Sequence, residues 1–164
     1  MGRTTLRAFQ TALGEPLQFY LHPGHLFVSV ENYAVTTILG SCVSVCLWDP
    51  ETRIAGINHF LLPHAGEGAP ASPRFGDCAV RQLIADVRTL GAAPERLQAK
   101  LFGGACVLEA LRSRDNHLGA KNIAVARGEL ASAHIPVLGE DVGGCKGRKL
   151  IFHTDSGEAW VKEL

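Results

Sequence analysis

The 164-residue chain has no apolar run approaching the ~20 residues needed to cross a bilayer. Its first twenty residues interrupt any hydrophobic stretch with Arg3, Arg7, Gln10, Gly14, Glu15, Pro16 and Gln18, which excludes the usual pattern of a secretory leader. The expected setting is therefore cytoplasmic. Excess charge of either sign is also missing: Lys and Arg number 16, Asp and Glu 16. Phosphate backbones are bound by concentrated basic patches, so interspersed, balanced charge argues against a nucleic-acid surface. Five cysteines occur without a CxxC, CxC or zinc-finger spacing, which suits free thiols in a reducing compartment better than a disulfide framework. Neither GxxxxGK[ST] nor GxGxxG is present, so Gly103-Gly104 and Gly143-Gly144 read as turns and not as phosphate cradles. His22, His25, His59 and His64 lack the carboxylate or cysteine that would complete a familiar metal-ligand spacing. No metal is expected.

What is present fits one domain of common size with a single core. After a weakly patterned arm over residues 1–22, short β-branched runs at 26–30, 33–39, 42–48 and 54–62 read as strands. Residues 64–76, rich in Gly, Pro and Ser, read as a surface loop of the kind that often carries function. From Asp77 as N-cap, Ala79, Val80, Leu83, Ile84, Val87 and Leu90 recur at helical spacing, and Gly91 is placed for a left-handed cap. A strand at 97–102, a second helix over 118–133 weakened by Gly119 and Gly128, a strand at 135–138 and a hairpin around Asp155-Ser156-Gly157 complete the chain. Such an order predicts a layered α+β or α/β domain whose helices cover a mostly antiparallel sheet.

One stretch carries chemistry. Gly40-Ser41-Cys42 offers a thiol just after a small-residue bend, and His59 lies on the next strand. A two-residue turn at Pro50-Glu51 would set Asp49 opposite Thr52 and, counted back along both strands, Cys42 opposite His59. Their β-carbons would then stand roughly 5 Å apart on one face, a separation suited to a thiol–imidazole hydrogen bond. A one-residue slip would send His59 to the other face. Gly40 and Ser41 would allow close backbone approach, leaving the Cys42 N–H to face an oxyanion. Thr36 shares the face of Cys42 if no bulge intervenes, so that it could orient the imidazole; a bulge at Gly40 would favour Thr37 instead. Cys46, about 13 Å along the strand, reads as a packed hydrophobe. The same residues also admit a plainer reading, in which Cys42 and His59 are core side chains and Thr36 and Thr37 ordinary strand formers.

The blocks at 36–50, Ile57-Asn58-His59-Phe60-Leu61-Leu62-Pro63, Phe75-Gly76-Asp77, Lys100-Leu101-Phe102-Gly103-Gly104-Ala105, Gly119-Ala120-Lys121-Asn122 and Gly143-Gly144-x-x-Gly147-Arg148-Lys149 occur in one order over about residues 20–162. Together they resemble CheD, the chemoreceptor glutamine deamidase family of bacterial chemotaxis. The resemblance implies Cys42 as nucleophile, His59 as general base and Thr36 as third catalytic residue, with Ser41, Gly40 and Asn58 near the oxyanion or substrate. It implies a three-layer α/β/α sandwich similar to the catalytic domain of cytotoxic necrotizing factor toxins, spanning residues 23–164 after the arm. Hydrolysis of receptor glutamine to glutamate through a thioester would need no cofactor. The implied partners are the cytoplasmic domain of methyl-accepting chemotaxis receptors and a CheC-type phosphatase. Receptor methylesterase activity, a pure binding role beside that phosphatase, and a transglutaminase-like acyl transfer are the competing expectations.

Overall fold

Strand β4 (Val43–Trp48) is buried on both faces, and the two layers it separates explain the rest of the architecture. The computed structural model describes residues 14–164. In chain order the other elements are β1 (Leu17–Tyr20), β2 (Leu26–Ser29), β3 (Tyr33–Leu39), β5 (Ala55–Asn58), α1 (Gly76–Leu90), β6 (Gln98–Gly103), α2 (Leu118–Ser132), β7 (Val137–Val142), β8 (Arg148–His153) and β9 (Ala159–Glu163). They form a five-stranded sheet in the order β2-β5-β4-β6-β7 and a four-stranded sheet in the order β1-β3-β8-β9. Pairing is antiparallel except for β1 with β3 and β6 with β7.

Because strand side chains alternate, Val43, Val45 and Leu47 face one way, against Val80, Leu83 and Val87 of α1 and Ile123, Ala126 and Leu130 of α2. Cys46 faces the other way with Ala55, Ile57 and Phe102, meeting Val35, Leu39, Leu150 and Phe152 of the second sheet. The chain is thus the expected mixed α/β domain. Among the described residues the layers run helices, sheet, sheet: a second sheet occupies the place the α/β/α expectation gave to helices. The physical reason is the apolar face of β3 and β8, which is satisfied by packing on β4 and β5.

Several element ends depart from the sequence reading. Leu17–Tyr20, expected as arm, pairs with β3, and Leu21 behind it is fully buried. Four residues after Pro16 are too few to show a period. The remainder of the expected arm, residues 1–13, lies outside the described residues. Helix α1 is capped by Phe75 without a side-chain bond, whereas Asp77 sits in the first turn and accepts from the Cys78 N–H. Gly91 ends α1 in the left-handed conformation, as its position suggested.

The β4–β5 connection decides the site. It is not a two-residue turn: Trp48 pairs with Ala55, and the Asp49 N–H donates to the Ile54 carbonyl at 2.9 Å across the four residues between them. Asp49 is fully buried, and its carboxylate accepts from the N–H groups of Glu51 and Ala93 and from Arg96. Burial works to raise its pKa, but the Arg96 guanidinium and these N–H groups hold it well below the usual carboxylate range.

Candidate active site

The longer connection shifts the β4–β5 register by two residues, so Cys46 pairs with Ile57 and Val43 with Phe60. Cys42 is therefore opposite Leu61, not His59. A shift of two preserves the face, because side chains alternate with period two. Cys42 packs on the inter-sheet cluster, the same side as Cys46 and Ile57, and His59 lies on the diagonal from it. Diagonal neighbours on one face stand about 7–8 Å apart by backbone geometry, within reach of an imidazole. The direct pairing expected from the sequence is corrected, while the shared face stands.

His59 is held from three sides. Its backbone N–H donates to the His25 carbonyl at 3.0 Å, and its carbonyl accepts from the Gly24 N–H at 2.7 Å. Its Nδ1 lies 2.7 Å from the Thr37 hydroxyl, and that hydroxyl donates its one proton to the Leu21 carbonyl at 2.8 Å. A carbonyl only accepts, so the Thr37 oxygen must be the acceptor from the ring, which places the imidazole proton on Nδ1. Nε2 is left with a free lone pair, buried and without a hydrogen-bond partner among the described residues. Burial also pushes the His59 pKa from 6.5 down to about 4, so the ring is neutral at physiological pH. A neutral ring with its basic nitrogen fixed and unoccupied is equipped to take a proton.

Thr37, not Thr36, contacts the His59 ring. In β3, Thr37 pairs with Leu150 and points to the inter-sheet side, whereas Thr36 pairs with Ile151 on the opposite face. Counting alternation back from Cys42 fails because β3 and β4 belong to different sheets, and the bend at 40–42 between them resets the face. Thr37→Val keeps shape but strands Nδ1–H and the Leu21 carbonyl. It is expected to lower kcat about 10- to 100-fold, as loss of an orienting partner does elsewhere, while Thr36→Val stays within about twofold. Steady-state rates of the two purified variants check this; equal losses would contradict it.

Burial pushes the Cys42 thiol up, against a hydrogen bond from its own backbone N–H. The resting pair is then thiol and neutral imidazole. The close backbone approach expected at Gly40 is made instead at Gly103, whose φ is +102° and where a Cβ would lie 2.2 Å from the Cys42 carbonyl oxygen. Gly104 donates its N–H to that carbonyl at 2.8 Å, and the Gly40 carbonyl accepts from Ala105. Ser41 borders a groove of about 180 Å³ lined by Cys106, Val107, Leu108, Leu111 and Leu118. Asn58, expected beside the substrate, turns to the helix side, where its Oδ1 takes the Val45 N–H at 2.8 Å. By replacing a ladder bond with a side-chain bond it ends β5 just before His59. The other histidines do not converge on the site: His25 bonds the Pro23 carbonyl, His22 stacks edge-on with Tyr20, and His64 lies 3.4 Å from Asp77.

Residues 61–163 match the family model described as CheD chemotactic sensory transduction. The chain belongs to the CheD family. A protein of Anaeromyxobacter dehalogenans named probable chemoreceptor glutamine deamidase CheD 1 is 52% identical over 151 residues, covering 92% of this chain and 87% of its own. Proteins named probable chemoreceptor glutamine deamidase CheD from Stenotrophomonas maltophilia strain K279a and Sulfurimonas denitrificans are 43% and 38% identical, covering 95% and 87% of this chain and 78% and 92% of their own. A crystal structure of the Bacillus licheniformis hypothetical protein YfiH superposes with a TM-score of 0.48 at 17% identity, over 73% of this chain and 51% of that one. No helix among the described residues is long and apolar enough to cross a membrane.

Proposed function

We propose that this CheD protein hydrolyses glutamine side chains of chemoreceptor cytoplasmic domains to glutamate, in the cytoplasm, with Cys42 as nucleophile and His59 as general base. The observation that carries the reading is the fixed tautomer of a buried, neutral His59, whose unoccupied Nε2 lies on the face of Cys42. The names of its relatives supply the substrate class.

The Cys42 thiol gives its proton to His59 Nε2 as the sulfur attacks the carboxamide carbon, opening the C=O double bond to a tetrahedral oxyanion. Backbone N–H groups at Ser41 and Cys42 would face that oxygen. The imidazolium returns the proton to the nitrogen, the C–N bond breaks, and ammonia leaves a thioester. Water then gives a proton to Nε2 and attacks the thioester, and as the C–S bond breaks the imidazolium returns that proton to the sulfur, releasing glutamate and restoring the thiol and the neutral ring. Thr37 keeps Nδ1 protonated throughout, so that Nε2 is the nitrogen in use. The apolar groove beside Ser41 would seat side chains flanking the glutamine, and a CheC-type phosphatase would be a second partner of the same protein.

Incubation with a receptor cytoplasmic fragment should release one ammonia for each gain of about 1 Da in the fragment. Gain of mass without ammonia, or consumption of an added primary amine in place of water, would replace hydrolysis with another acyl transfer.

A further inference from the structure

Asn122 has no part in the proton transfers just described, yet it is the side chain that joins the two halves of the site. It is fully buried, on the same stripe of α2 as Gly119, Ile123, Ala126 and Leu130. Its Nδ2 donates to the Ser41 carbonyl and to the Leu61 carbonyl, each at 3.0 Å. Two carbonyl acceptors fix the amide orientation, because a flipped carboxamide would set oxygen against oxygen.

The position of these two bonds matters. Antiparallel pairing of the β4 and β5 segments last occurs at Val43 with Phe60. One step beyond, the main chains separate: the Cys42 carbonyl accepts from Gly104, and the Leu61 N–H goes to the Arg74 carbonyl. Ser41 precedes the nucleophile, and Leu61 follows the base by two residues. The amide of Asn122 thus bridges the strands where the sheet no longer does. Helix α2 is brought this close by glycines: a Cβ on Gly119 would lie 2.2 Å from the Gly104 carbonyl oxygen, and one on Gly104 would lie 2.4 Å from Ile123. Gly104 in turn holds the Cys42 carbonyl.

We infer that Asn122 is a positioning residue for the reaction: by clamping the Ser41 and Leu61 carbonyls it holds the Cys42 sulfur within reach of His59 Nε2. The inference rests on the proposed Cys42–His59 chemistry. Misplacing reacting groups by about 1 Å can cost on the order of 100-fold in rate, so a clamp at this point acts on kcat. Asn122 itself is fully buried and its amide N–H groups are taken by the two main-chain carbonyls, so the loss is expected in kcat with little change in KM.

The test compares wild type, Asn122→Ala and His59→Gln for two readouts, deamidation kinetics and the rate of Cys42 alkylation by iodoacetamide at neutral pH, with adducts mapped by peptide mass. The expected result for Asn122→Ala is a fall in kcat of about 10- to 100-fold at unchanged KM. Its Cys42 alkylation should fall to the His59→Gln rate while the protein remains folded. Alkylation and kcat at wild-type values in folded Asn122→Ala overturn the inference, as do losses that merely track the unfolded fraction in urea. If Asn122→Ala does not fold, Asn122→Ser, which keeps a short single donor, takes the same test with the same criteria. Alkylation needs no glutamine substrate, so wild type that alkylates in a His59-dependent way but fails to deamidate refutes the substrate assignment without touching the clamp.

Discussion

Cys42→Ala is expected to lose deamidation by about 10⁴-fold or more, with little change in thermal stability. The sulfur would form the covalent bond to the acyl group, and an alanine methyl offers no nucleophile in its place. The structural cost is small because Cys42 is only partly buried at the edge of the inter-sheet core, and alanine still fills most of its volume. Cys46→Ala is the matched control. Cys46 lies fully inside the same core, so its replacement should lower the unfolding midpoint and leave kcat nearly untouched. A reversed pattern, with Cys46 controlling rate and Cys42 controlling stability, would mean that the plainer core reading of Cys42 was right.

His59→Gln is expected to lower kcat by about 10²- to 10⁴-fold, the usual range for a positioned general base, and to change two pH dependences. Because burial depresses the His59 pKa to about 4, the ring stays unprotonated far into the acid range. Wild-type kcat/KM should hold from neutral pH down to near pH 5 and fall only as pH drops through about 4. Stability follows the same titration. The unfolded chain binds a proton at His59 below 6.5 and the folded chain only below about 4, so unfolding takes up a proton between those values. Stability is therefore fully present above pH 6.5 and declines as pH falls towards 4, by about 3 kcal/mol for this group. His59→Gln removes that contribution, which urea unfolding at a series of pH values reads as a shallower slope in the window. An unchanged slope would show that His59 is not the buried neutral ring described here.

The sequence displayed the elements well where a period could develop. Residues 77–90 repeat their apolar positions over several turns, and Gly91 closes the helix where a left-handed residue was wanted. Alternation at 43–48 likewise matched a strand buried on both sides. What could not be read was how separate segments meet. The register depended on whether Asp49 begins a two-residue turn, and the answer came from Ala93 and Arg96, more than forty residues away, which hold its carboxylate and lengthen the connection. Thr36 and Thr37 are chemically identical neighbours. Only the division of β3 and β4 between two sheets selects Thr37, and no local pattern contains that information. Asn122 left a trace that could have been followed, being a carboxamide on the apolar stripe of α2, where an unpaired amide would be costly. Its partners, Ser41 and Leu61, lie in segments far removed in sequence. The proposed nucleophile and base stood out in the sequence because their chemistry is rare in strands, whereas the residues that hold them use common side chains in places set by tertiary packing.

The most direct test of the central claim is the intact mass of a receptor cytoplasmic fragment after incubation with wild-type enzyme, Cys42→Ala or Cys46→Ala. A gain of about 1 Da per modified glutamine is expected with wild type and Cys46→Ala, and no gain with Cys42→Ala. An undiminished gain with Cys42→Ala, or none with wild type, would contradict it.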